Sequence, residues 1–166
     1  MHRRSCIQVV ILPIMLLACQ NQHPVESGAP SFDADRALGA WLEAWNTRDL
    51  SLADKLFLDD STASYFSSER EGLIVGFPAI HEHHVGFGFV TGGAAPTAQL
   101  WLDDVHTSVY GGAAVVAATW FFGDRDGSQT DIQRGPMSAV YLFDGADYKI
   151  AHMHFSTYLT APDPDP

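Results

Sequence analysis

The stretch Gly135 to Leu159, G-P-M-S-A-V-Y-L-F-D-G-A-D-Y-K-I-A-H-M-H-F-S-T-Y-L, constrains this chain more than any other. Asp144-Gly145 sits between two apolar-rich runs, and Asp-Gly in that setting is a strong hairpin signal, because glycine accepts the positive φ of a tight turn. Side chains alternate faces along a strand with period two. One face of the second strand then carries Tyr148, Ile150, His152, His154, Ser156 and Tyr158. The other carries Ala151, Met153, Phe155, Thr157 and Leu159, a packing face. A turn of two or four residues puts Tyr141 and Met137 with the first set. Two imidazoles and a hydroxyl on one stripe suit acid–base chemistry, since histidine titrates near neutrality. They equally suit structural histidines hydrogen-bonded within a sheet.

The rest of the chain supplies helices and more strands. Ala34, Leu38, Trp41, Leu42 and Trp45 share one helical face, after a cap at Ser31 or Asp33. Two tryptophans on one face need a broad surface beneath them, such as a sheet; both rings are read as core, or one of them as the wall of a pocket there. Ser51 is expected to cap a short second helix. Gly76-Phe77-Pro78 opens a third, because proline suits a first helical turn. That helix holds His81, His83 and His84. A zincin site needs His-Glu-x-x-His; Val85 occupies the second histidine's place, so His84 is read as turned inward beside Ile80. The glycine-rich segment 86–96, with Phe87 and Phe89, has the make-up either of a lid over a cavity or of a loop whose apolar residues pack down. Short strands are expected at 62–67 and 73–75, and long ones at 98–109, 113–123 and 130–143, with a bulge at the Gly-Pro break after Arg134. Helices first and a strand meander last predict an α+β fold, with three N-terminal helices on the concave face of a curved antiparallel sheet.

Composition removes several chemistries. The formal net charge of -11 argues against nucleic acid as a partner, since such proteins carry clustered lysine and arginine. Both cysteines, Cys6 and Cys19, precede the folded domain. The domain therefore has no disulfide, no cysteine-ligated zinc and no cysteine nucleophile.

The Asp-Gly turn, Tyr148-Lys149-Ile150 and His-x-His-x-Ser resemble the closing strand of the nuclear transport factor 2-like superfamily. A-W-L-E-A-W-N-T-R-D-L in the first helix, a short helix ending in L-F, and G-F-P-A-I-H-E-H-H follow that family's order. The resemblance covers about 32–159 and is nearest to SnoaL-like domains and to the association (hub) domain of calmodulin-dependent kinase. It implies a cone-shaped domain with a blind pocket between sheet and helices, holding a small, partly apolar molecule. Trp41, Trp45, His84, Tyr141 and Ser156 are its candidate ligand-lining residues, and His152 and His154 its candidate acid–base residues. It also implies two alternatives. One is a cofactor-independent enzyme of the isomerase, dehydratase or hydrolase type, for which no cofactor and no metal is expected. The other is an oligomerising assembly module. The hub domain places an arginine on its penultimate strand; here Ser138 stands in that region, which departs from the family's carboxylate site.

Residues 1–18 have a basic start and an apolar stretch of signal-peptide length. Leu16-Leu17-Ala18-Cys19 resembles the bacterial lipobox, which implies cleavage before Cys19 and its lipidation, with anchoring in the cell envelope. Gln20 in place of aspartate favours the outer membrane, periplasmic side, of a Gram-negative cell. Residues 19–30 then form a polar linker, 31–160 the domain, and 161–166 a disordered tail. The apolar row Ala151, Met153 and Phe155 is expected to be covered by a second copy, giving a homodimer.

Overall fold

The computed structural model describes residues 28–127 and 131–158. The candidate lipidation site Cys19, the linker's first residues and the C-terminal tail lie outside them. Helix α1 spans Ala34–Thr47 and α2 spans Leu50–Leu56. Two short strands follow, β1 (Ser64–Phe66) and β2 (Leu73–Val75), and then helix α3 (Phe77–Gly86). Four longer strands close the chain: β3 (Gln99–Tyr110), β4 (Ala113–Gly123), β5 (Gln133–Phe143) and β6 (Tyr148–Phe155).

Local chemistry sets these elements. The Asp33 carboxylate accepts the Arg36 N–H at 3.0 Å, satisfying one of the free donors at the start of α1. Asp49, not Ser51, caps α2, and accepts the Ser51 N–H at 2.8 Å. Pro78 sits in the first turn of α3, where no N–H is needed. The sheet order is β2-β1-β6-β5-β4-β3. It is mixed rather than wholly antiparallel, because β1 runs parallel to β6. The chain must leave β1, build α3 and three long strands, and return beside it. That long-range closure leaves no signature in a local sequence window.

Two bulges shape the sheet. In β3, Asp103 pairs with Thr119 and His106 with Ala117, and Asp104 has φ 54° between them. In β6, His152 pairs with Val140 and Ile150 with Tyr141, leaving Ala151 as the extra residue. No register shift falls at Arg134. There the Gly135-Pro136 break instead lets another segment cross. The Ser156 carbonyl passes so close that a Cβ on Gly135 would collide with it.

The bulge at Ala151 decides which residues enter the core. Before it, Tyr148 and Ile150 point under the helices; after it, Met153 and Phe155 do. One extra residue exchanges the faces of everything beyond it. Met153 and Phe155 therefore lie buried in the domain, and a second copy does not cover them. Trp41 stacks on Phe155 at 5.5 Å between ring centroids, and Tyr65 stacks on the same ring at 6.1 Å.

Candidate functional site

His152 and His154 lie on the outer face of the sheet. Their neighbours there are Ser64 and Phe66 on β1 and Val140 and Ser138 on β5. His152 Nδ1 and the Ser64 hydroxyl share a hydrogen bond of 2.8 Å, and the Phe66 ring stands edge-on to both imidazoles. Burial and the neighbouring His154 hold His152 below its ordinary pKa. The stripe expected to combine these histidines with Trp41, Trp45 and Tyr141 is thus divided between two faces. The four-residue turn after Phe143 places Tyr141 beside Ile150 in the interior, but the bulge then turns both histidines outward. Ser156 follows the end of β6. It meets the interior through its backbone, where its carbonyl accepts the Trp120 indole N–H at 2.8 Å.

The inner face of the cone is aromatic. Its mouth is walled by Trp45, Tyr65, Phe87, Trp120, Phe122 and Phe155, with Ser67, Glu69 and Gln133 at the rim. Its free volume is about 30 Å³. That is room for one or two waters. The glycine-rich segment after α3 packs down rather than standing open. Val90 N–H donates to the Arg48 carbonyl, Leu50 N–H to the Val90 carbonyl, and Ala94 N–H to the Thr47 carbonyl. Gly93, at φ 83°, passes Thr47 so closely that a Cβ would come within 2.7 Å of its carbonyl oxygen.

Arg48 stands at the centre of this closure. It ends α1 in the left-handed conformation, φ 52°, where glycine is usual and other residues are strained by about 1 kcal/mol. Asn46 fixes the same turn to β3. Its amide donates to the Leu100 carbonyl at 3.0 Å and accepts the Leu100 N–H at 2.7 Å. The Arg48 side chain is driven inward and is 8% exposed. Its guanidinium carbon lies 4.9 Å from the Trp45 ring centroid, 5.1 Å from Phe87, 5.2 Å from Phe89 and 5.4 Å from Phe122. Such rings attract a cation through their faces. Among the described residues Nη1 nonetheless has no hydrogen-bond partner and no carboxylate pairs with the group. Burial lowers its pKa from the ordinary value, yet an arginine starts so high that it stays charged.

Other polar groups share this interior. His84 is 2% exposed, as its spacing beside Ile80 suggested. Its Nδ1–H donates to the Ile80 carbonyl at 3.0 Å, so Nε2 is an unprotonated acceptor, and it has no partner. Burial first, then the adjacent His83, pushes its pKa down to about 4. The Trp45 and Trp41 indole N–H groups are likewise unpaired. Tyr65 is fully enclosed, and burial raises its pKa well above the usual phenol range. His81, also on α3, faces away: its Nδ1–H donates to both Asp54 oxygens at 3.0 Å. No group of three or more metal-ligating side chains occurs among the described residues.

Trp45 thus lines the mouth with His84 packed behind it, Trp41 fills the middle of the core, and Tyr141 sits toward the cone's other end. Arg48 was missed because its sequence context reads as a helix terminus. The available signal was a bulky cation at a position where glycine normally ends a helix, directly after two core tryptophans.

No protein-family model matches the sequence, and no curated protein matches it. Solved structures do. A nuclear transport factor 2-like superfamily protein from Salmonella enterica serovar Typhimurium is 25% identical, with a TM-score of 0.61 over 79% of this chain and 92% of its own. A Streptomyces avermitilis protein of that family, carrying a provisional dehydratase name, is 21% identical over 75% of this chain and 93% of its own, with a TM-score of 0.60. The CaMKII association domain of C. elegans is 21% identical over 74% and 91%, with a TM-score of 0.59. With three helices laid on one face of a six-stranded sheet that does not close, the chain has the α+β cone fold of the nuclear transport factor 2-like superfamily.

Proposed function

We propose that this protein binds a small, partly apolar carboxylate at the mouth of its cone and holds the charge on Arg48. The observation that carries this reading is the buried guanidinium with an unpaired Nη1. A buried charge without a counter-charge is costly, and a bidentate carboxylate is the partner a guanidinium fits best. Phe87 and Phe122 both wall the mouth and both touch the guanidinium, so Arg48 lies directly behind rings that line the opening. Movement of Phe87, half-buried at the end of α3, would open that path. The rings supply the apolar wall, and His84 Nε2 and the Trp45 N–H are unspent polar groups beside it.

The acid–base alternative loses its first candidates, because His152 and His154 face away from this mouth. Titration of the tryptophan fluorescence with benzoate and with propionate tests the binding reading, since Trp45 touches Arg48. Saturable quenching is expected with at least one of them; a linear, non-saturating response to both would remove the reading.

We further propose that Cys19 is lipidated and tethers the domain to the cell envelope. The lipobox resemblance supports this, and fractionation tests it: wild type in the membrane fraction and Cys19→Ser released from it. Wild type found free in the periplasm would contradict it. A second copy, as homodimer partner, would pack on the outer sheet face. There Ser138, Val140, Val115 and Ala117 form a small, partly apolar surface with no helix of the described residues over it. Light scattering would settle this, with a monomer at tens of micromolar as the contrary result.

A further inference from the structure

A second cavity opens at the other end of the cone, between the start of α1, the end of α2 and the β5–β6 hairpin. Its walls include Phe32, Leu56, Tyr141, Arg36, Lys55 and Lys149. About 70 Å³ of it is open to the centre of a water molecule, more than at the mouth. Two features set it apart. The Tyr141 side chain is 2% exposed, and its hydroxyl is buried with no hydrogen-bond partner among the described residues. Lys55 and Lys149 are the only lysines in a chain of net charge -11, and both line this one cavity.

We infer that this cavity is a binding site for a small oxyanion, held by the Tyr141 hydroxyl together with Lys55 and Lys149. The carboxylates at its edge are already engaged. Asp147 receives Arg36 Nη2 at 2.7 Å, and Asp33 caps α1. Lys149 Nζ spends one donor on the Lys55 carbonyl at 2.7 Å and keeps two. That contact also neutralises the carbonyl end of α2, which would otherwise repel an anion. Burial raises the Tyr141 phenol above its ordinary pKa, so it remains a hydrogen-bond donor at every physiological pH. The Phe32 ring, 5.0 Å from Tyr141, closes one side. The space suits phosphate or a short carboxylate rather than a larger anion. Arg48 takes no part, so this site and the mouth can fail separately.

The test is a nitrogen-15 NMR titration of the protein with inorganic phosphate and, separately, with acetate, at constant ionic strength. Saturable shifts are expected at the amides of Leu56, Tyr148 and Lys149. Tyr141→Phe removes one unpaired hydroxyl and should leave the fold intact while weakening binding about tenfold. Lys55→Gln should weaken it at least as much, and Arg48→Met should not change it. The inference is overturned if neither anion gives saturable shifts at those amides. It is equally overturned if Tyr141→Phe and Lys55→Gln bind as wild type does, or if the shifts centre on Phe87 and Gln133 instead.

Discussion

The two faces of the sheet treat their polar groups in opposite ways. On the outer face, His152 shares a hydrogen bond with Ser64, and His154 stands in solvent. On the inner face, the Arg48 guanidinium, His84 Nε2 and the Trp45 N–H are buried without full partners. A polar group in water costs nothing to keep. One buried and unpaired costs on the order of 1–3 kcal/mol, more when charged. The difference teaches where to look for function. The histidine pair draws the eye in the sequence, yet the energetically unusual groups are the quiet ones beneath the helices. A bound molecule would offset their cost, and nothing on the outer face needs one.

The sharpest way to break this contrast is to put a charge on each face in turn. Met153→Glu buries an unpaired carboxylate in a position with no exposure, and should cost several kcal/mol and prevent folding. Placed one residue on, at His154, the same glutamate should be tolerated. Circular dichroism melts of the two variants check the pair. A folded Met153→Glu protein would mean that the bulge at Ala151 is misplaced and the faces are exchanged.

The next largest effect concerns pH. His84 has its folded pKa depressed to about 4 from an ordinary 6.5. Below 6.5 the unfolded chain binds the proton more readily than the folded one, so stability falls as pH drops from 6.5 toward 4. The loss from this group is about 3 kcal/mol and is complete near its folded pKa. His83 and His152, also lowered by burial, act with the same sign. The carboxylates of Asp60, Asp144 and Asp147 have depressed pKa values and weaken the fold only nearer pH 4 and below. Urea melts at pH 7.5 and pH 4.5 should separate clearly, and His84→Phe should remove most of the separation. Equal midpoints for wild type would show that His84 is not buried as described.

The smallest effect belongs to the outer histidines. His152→Ala removes one partly exposed hydrogen bond and should cost about 1 kcal/mol. His154→Ala should cost less. Neither should change binding at the mouth. Loss of benzoate binding in either variant, with the melting temperature preserved, would return the chemistry to the histidine strand.

Much of this architecture was legible in the sequence. The apolar spacing of α1 is met by Leu38, Trp41 and Trp45 in the core, and Asp144-Gly145 does turn the last hairpin, with Gly145 at φ 102°. The order of helices before long strands gave the fold class. The site was less legible, for physical reasons. Period-two alternation assumes an unbroken ladder, and the bulge at Ala151 shows only in the pairing of β6 with β5. The inward path of Arg48 depends on Asn46 holding β3 and on Val90 holding the Arg48 carbonyl, contacts between segments far apart in the chain. The parallel return of β6 beside β1 is of the same kind.

The central claim is that the unpaired Arg48 is the anion partner of the mouth. Benzoate affinity of wild type, Arg48→Lys and Arg48→Met measures it most directly. Replacing the fork by a point charge should weaken binding about tenfold, and removing the charge about a hundredfold or more. Arg48→Met should keep or slightly raise its melting temperature, because it deletes a buried charge while filling the aromatic cage. Undiminished benzoate binding by a folded Arg48→Met protein would contradict the account, leaving Arg48 as a cation–π clamp between α1, β4 and the segment after α3.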